Sequence, residues 1–202
     1  MTKLTTIFLF LISSFFAFGQ NIDEPFSQKK MKKDLEVFKE IRLKANSGLY
    51  KYRTQKEIDS IYNWANTQIS KSHTYRDFYN IICQLTDFEG SLHNSTDFSK
   101  KYLENLRKEN HGYFPLPIKW IDGKWLVNYE NNEIPLGSEI ISINNIPISE
   151  IIQELYKYYT TDGKNITGKR IGIRTNFSKY YRLNYGLQEE FQVTFKKHNS
   201  NF

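Results

Sequence analysis

Cysteine, histidine and long apolar runs are scarce in this chain. A single cysteine, Cys83, rules out an internal disulfide, and its apolar helical surroundings mark it as a buried structural thiol. The four histidines, His73, His93, His111 and His198, lie far apart, and no second cysteine completes a zinc-ligand spacing. Asp122-Gly123 and Asp162-Gly163 read as turns outside any calcium-loop pattern, so no metal and no cofactor is expected. Beyond residue 18 no apolar run is long enough to span a bilayer. Nucleic-acid motifs are also missing. The formal net charge is +6, and Lys29, Lys30, Lys32 and Lys33 cluster at a helix start, where they read as a solvated face. No nucleic-acid partner is expected.

The first nineteen residues read as an export signal. Lys3 supplies a short positive start, an apolar stretch follows to Phe18, and Ala17-Phe18-Gly19 puts small residues where a signal peptidase needs them. Cleavage would leave Gln20 as the new N-terminus and a mature chain with no membrane segment, secreted or periplasmic in the cell envelope. No cysteine stands at the cleavage site to mark a lipoprotein. Residues 20–28 are polar and read as a flexible leader.

Helical signals come next. Met31, Leu35, Phe38 and Ile41 recur at helical spacing, and Asn46-Ser47-Gly48 ends the run. Thr54 with Glu57 and Thr74 with Asp77 are capping boxes that open two further helices. Ile58, Ile61, Tyr62, Ala65 and Ile69 form the inner face of the first, and Phe78, Ile82 and Leu85 that of the second. A fourth helix is predicted over residues 97–108, burying Tyr102, Leu103 and Leu106. The four are expected to form one bundle.

From Tyr113 the pattern turns to strands. Residues 115–120 and 124–129 flank Asp122-Gly123, a hairpin signal. Residues 135–152, PLGSEIISINNIPISEII, are the most patterned part of the chain. A Leu136-Gly137 turn leads into the β-branched run of Ile140, Ile141 and Ile143. Asn144-Asn145 then turns into a clipped strand at Ile146-Pro147-Ile148, and Ser149 is the expected cap of a helix over residues 150–159. Residues 160–169 read as a loop, and the segment holding Ile171, Ile173, Phe177 and Tyr181 has no clear period. Phe191, Val193 and Phe195 alternate with polar residues as a last strand. The fold class is therefore α+β, with an N-terminal helical bundle followed by a small β domain carrying one or two helices.

The order of turn, strand, tight turn, short strand and helix resembles the PDZ-like domain of the tail-specific, or C-terminal processing, S41 serine peptidases. Gly137, Ser138, Ile140, Ile143, Asn144, Pro147, Ile148 and Ile151 carry that resemblance. Upstream, Leu35, Phe38, Ile41, Leu49, Tyr50, Tyr52, Glu57 and Asp59 are similar to the family's N-terminal run. The loop Glu89-Gly90-Ser91-Leu92-His93 departs from the family's Gly-His-Thr wording. The resemblance implies a helical N-terminal domain over residues 29–112 and a PDZ-like domain over 113–202.

It also implies a serine nucleophile and a lysine base on a separate core after the PDZ-like domain, and no position here matches them. The expectation is a fragment or truncated relative with no catalytic residue of its own. Ser91 and His93 are sequence neighbours with no preceding strand, which is not the arrangement of a nucleophile and its base. Polypeptide C-termini, or a missing catalytic domain, are the implied partners. The alternative is a stand-alone secreted scaffold or interaction module without peptidase activity.

A PDZ-like domain takes an extended peptide as an added strand between a sheet edge and a helix. The implied peptide-binding residues are Tyr113, Phe114, Leu116 and Ile118 on the loop and first strand, with Ile152 and Tyr156 on the helix. Pro115 removes one N–H donor from that loop, and Glu130-Asn131-Asn132-Glu133 stands in place of the family's short helix.

Overall fold

The computed structural model describes residues 21–109 and 111–197, so the export signal, the Gln20 terminus and His198 lie outside the described residues. Three helices open the fold: α1 (Gln28–Ala45), α2 (Gln55–Ile69) and α3 (Tyr75–Phe88). Both capping boxes form. Thr54 accepts from the Glu57 N–H and Thr74 from the Asp77 N–H, while each carboxylate returns to its cap backbone. These helices share a core built from Met31, Leu35, Ile58, Tyr62, Ile69 and Leu85. Ile41, expected on the inner face of α1, is instead 56% exposed.

α4 (Lys100–Lys108) starts three residues later than expected and does not complete a four-helix bundle. Tyr102 and Leu106 join Phe98 in the second core, with the sheet. An aromatic cluster explains the choice. Tyr75 stacks on Tyr102 with ring centroids 4.5 Å apart, and Tyr79 on Phe98 at 3.7 Å, so α4 is held on the outer side of α3.

The sheet is antiparallel. β1 (Ile118–Ile121) pairs with β2 (Lys124–Val127), β2 with the start of β3 (Glu139–Ile143), and β3 with both β4 (Ile146–Pro147) and β5 (Val193–Lys196). Asp122 and Gly123 both take positive φ, 47° and 82°, which is the two-residue hairpin turn that their sequence announces. Asn144 and Asn145 make a similar turn at φ 48° and 63°. The Asn144 side chain accepts from the Gln192 N–H at 2.8 Å, fixing the turn to the segment that leads into β5.

One face of the sheet carries Ile118, Val127, Trp125, Ile140 and Ile143, all buried. Two helices cover it: α5 (Ile148–Leu155), continued by a 3₁₀ turn (Tyr156–Tyr158), and α6 (Ile166–Tyr185). Pro147, not Ser149, occupies the cap position of α5, so Ser149 lies inside the first turn. α6 takes in the last four residues of the expected loop over residues 160–169 and gives the unassigned segment a structure. Asn165 caps it by accepting from the Gly168 N–H, and Asn176 interrupts it with φ −130° and ψ 18°. Ile173, Phe177 and Tyr181 point into the core.

Buried charge ties the two cores together. Arg182, 1% exposed, pairs with Asp23 at 3.3 Å and with Glu109 at 3.1 Å. Lys169 on α6 pairs with Asp87 on α3. Among the described residues no helix is long and apolar enough to cross a membrane.

Candidate functional site

β1 is an edge strand, and the hairpin register determines which of its backbone groups are free. In an antiparallel pair, opposed residues alternate between hydrogen-bonded and non-hydrogen-bonded positions. The two-residue turn makes Ile121 and Lys124 a hydrogen-bonded pair, and the Asn128 N–H donates to the Pro117 carbonyl at 2.8 Å in the same phase. Lys119 and Ile121 therefore face β2, while Ile118 and Trp120 turn their N–H and C=O outward. Neither residue's outward groups find a partner among the described residues.

α6 runs alongside this edge. Ile118 is wholly covered, whereas Trp120 is half-buried, so the edge opens toward the hairpin end. The loop ahead of β1 is tied to the same helix. Ser178 donates to the Phe114 carbonyl, and the Phe114 ring meets Phe177 edge-on at 5.2 Å and Phe191 at 5.4 Å. Gly112 enters the loop at φ 76°, a conformation that favours glycine, whereas a Cβ there would meet chiefly the end of the exposed Leu187 side chain, which can swing aside.

The expected site residues divide into two groups. Phe114, Leu116 and Ile118 are 1%, 9% and 0% exposed and serve as core side chains; burying each contributes about 1.5–3 kcal/mol. Tyr113 is half-buried and donates its hydroxyl to the Leu106 carbonyl at 2.8 Å. Burial, with Glu109 nearby, pushes its pKa up and keeps it a neutral donor. The loop N–H groups of Tyr113, Phe114 and Leu116 carry no hydrogen bond among the described residues. Ile152 and Tyr156 sit apart from that loop, on α5 and the turn after it.

These last two residues line a cavity of about 240 Å³ at the hairpin end of the groove. Trp125, Ile140, Ile152 and Tyr156 form its buried floor and Trp120 one wall, the two indoles lying 5.4 Å apart. Arg170 of α6 places its guanidinium 4.3 Å from the centre of the Trp120 ring.

Sequence reasoning missed Trp120, Trp125 and all of α6. The Trp pair was legible as directly opposed residues of a two-residue hairpin, and so on one face of it. For α6 the Asn165 cap, Gly186 at its C-terminal end and the spacing of Ile173, Phe177 and Tyr181 were the available signals. Its low amphipathicity hid them, because Lys169 and Arg182 are buried among the apolar residues.

Ser91 and His93 lie on the loop after α3. Leu92 there donates its N–H to Asp162 at 2.9 Å, and Gly163 donates to the Gly90 carbonyl at 2.8 Å. These bonds brace the loop against the segment before α6. Among the described residues no group of His, Cys, Asp and Glu could hold a metal ion.

No curated protein matches the chain. Residues 110–202 match the family model described as PDZ domain, so the sheet, α5 and α6 form a PDZ-like portion, of the kind that binds peptides.

Proposed function

We propose that the PDZ-like portion docks an extended polypeptide along the open edge of β1, with its terminal carboxylate toward the loop of residues 112–116. The observation that carries this reading is the outward-facing N–H and C=O of Ile118 and Trp120 beside a helix, the arrangement that strand addition uses. The unbonded N–H groups of Tyr113, Phe114 and Leu116 are the donors for the carboxylate, and Pro115 contributes none. A peptide meets Trp120 first, because that end is exposed. Reaching Ile118 requires α6 to move aside, and Asn176 marks the point where that helix is already interrupted. Tyr113, Phe114, Leu116 and Ile118 then frame the C-terminal residue, and Ile152 and Tyr156 the chain upstream.

The wider setting is an exported, S41-like protein. Its support is the signal-like first nineteen residues, the central phrase around Ile140 to Ile151 and the N-terminal run from Leu35 to Asp59. The helical part and the PDZ-like part then serve to present polypeptide ends, and no peptide hydrolysis is assigned to Ser91 or His93. Mass spectrometry of envelope or medium fractions should find a chain starting at Gln20 or within a few residues. An intact Met1 terminus on abundant cytoplasmic protein contradicts export.

The complete covering of Ile118 favours a second reading, in which the PDZ-like portion is an interaction scaffold that never opens. Amide hydrogen exchange separates the two. A bound free-acid peptide should slow exchange at the Trp120 N–H and then at the Ile118 N–H. Unchanged protection at both, with any bound peptide, supports the scaffold.

A further inference from the structure

The cavity between Trp120, Trp125 and α5 has features that strand addition does not account for. Its floor is apolar and aromatic, and its rim is the exposed Gly123 and Lys124 of the hairpin with Glu139 of β3, facing Ser149 and Gln153 of α5, while Arg170 stands outside it against the Trp120 ring. At about 240 Å³ it lies below the ~300–1,000 Å³ of sites that enclose a whole small molecule, so it suits a single side chain. Two tilted indoles with a tyrosine favour an aromatic occupant, since rings prefer edge-on and offset contacts with one another.

Arg170 adds a charge requirement. Its guanidinium rests on the Trp120 ring and forms no ion pair or hydrogen bond among the described residues, and its Nε is buried without a partner. A buried donor left unbonded calls for an explanation. A carboxylate can engage the two terminal nitrogens together, in the two-pronged geometry that arginine offers, without having to reach the enclosed Nε. Lys124 is not equivalent, because Glu139 already faces it at 3.5 Å.

We propose that this cavity receives an aromatic side chain of the docked polypeptide, upstream of its C-terminus, and that an acidic residue next to that side chain pairs with Arg170. The inference rests on the groove reading above and narrows it to polypeptides with an aromatic–acidic pair ahead of their C-terminus. The geometry is consistent with that order. If the carboxylate lies at residues 112–116, the upstream chain passes Trp120 and leaves over the hairpin, where the cavity opens.

Two probes test it on the purified protein. The first is a library of free-acid peptides randomised upstream of an apolar C-terminal residue. The second is 3-phenylpropionate, a ring joined to a carboxylate, followed by NMR at the indole N–H signals of Trp120 and Trp125. Selected peptides should be enriched in an aromatic residue beside Asp or Glu, and 3-phenylpropionate should shift both indole signals. Arg170→Gln should weaken each probe about tenfold, as expected for loss of a charge-assisted hydrogen bond. Arg170→Lys, which keeps the charge and loses the paired terminal nitrogens, should fall between, and circular dichroism should show both variants folded.

Peptides that bind without this enrichment, or an Arg170→Gln variant that binds as well as the parent, overturn the pocket and leave the groove reading standing. Indole shifts from 3-phenylpropionate with no peptide bound overturn the groove reading and the proposal that rests on it. Silence from both probes also overturns the two together. Self-association that disappears in Trp120→Ala overturns the proposal as well, by assigning the cavity to a second copy of the chain.

Discussion

Lys169 of α6 and Asp87 of α3 form an ion pair beneath the surface, and the same ammonium donates to the carbonyls of Tyr156, at 3.0 Å, and Tyr159, at 3.3 Å. One side chain thus joins the helical part to both helices of the PDZ-like part. The two side chains are only 9% and 15% exposed, so the charges depend on each other. Asp87→Asn should leave a buried ammonium without a counter-charge and cost about 3–5 kcal/mol, read from the midpoint of urea unfolding. Replacing both residues with apolar ones of similar volume should recover most of that loss. A single variant as stable as the parent contradicts the pairing.

α6 approaches the 3₁₀ turn at a position where only glycine fits. A Cβ at Gly172 would stand 2.2 Å from Cγ of Tyr159 and 2.4 Å from its Cδ2. These are atoms near the root of the ring, which cannot swing away as a chain end can. Gly172→Ala should therefore destabilise the fold by about 1–3 kcal/mol, as overpacking does. In a Tyr159→Ala background the same substitution should cost much less, and equal costs in both backgrounds would show that the two residues do not meet.

The α2 cap has a pH signature. Glu57 accepts from the Thr54 N–H at 2.7 Å and from its hydroxyl at 2.9 Å, and these bonds, the backbone one first, hold its carboxyl below the ordinary glutamate pKa. A depressed folded pKa means that the cap's contribution is full above the unfolded glutamate value and is lost as pH falls through the folded one. NMR titration should give Glu57 a midpoint below that of a free glutamate. Thr54→Ala should raise it part of the way, since one of the two bonds survives. A midpoint at or above the ordinary value in the parent protein is incompatible with the cap.

The elements that were legible in the sequence are those whose local chemistry and tertiary role agree. Thr54 with Glu57, Thr74 with Asp77, Asp122-Gly123 and Asn144-Asn145 all form as their residues dictate, and the α+β class follows from them. The failures occur where tertiary packing overrides the local pattern. Tyr102 and Leu106 carry a good bundle face, yet Tyr75 and Phe98 draw them to the other core. Ile41 continues the α1 stripe in sequence, but two successive steps of three residues turn it off the face of Met31 and Leu35, while Arg42 beside it pairs with Glu89. α6 conceals its period because Lys169 and Arg182 are buried through ion pairs with Asp87, Asp23 and Glu109. At the candidate site, Ile152 illustrates the same limit. Its side chain is 3% exposed and belongs to the cavity floor, so Ile152→Asp would bury an unpaired carboxylate and destabilise the domain along with any ligand site.

The central claim is that the β1 edge and the loop before it hold a polypeptide's free C-terminus. Calorimetric titration of the protein with one peptide in two forms, free acid and C-terminal amide, tests this most directly. The two ligands differ only in the charge that the N–H groups of Tyr113, Phe114 and Leu116 would meet. A hydrogen bond to a charged group contributes about 1.5–3 kcal/mol, and each 1.4 kcal/mol is tenfold in affinity. The account predicts binding of the acid at least about tenfold tighter than of the amide. Equal affinities, or no binding to any member of a varied C-terminal library, would contradict it.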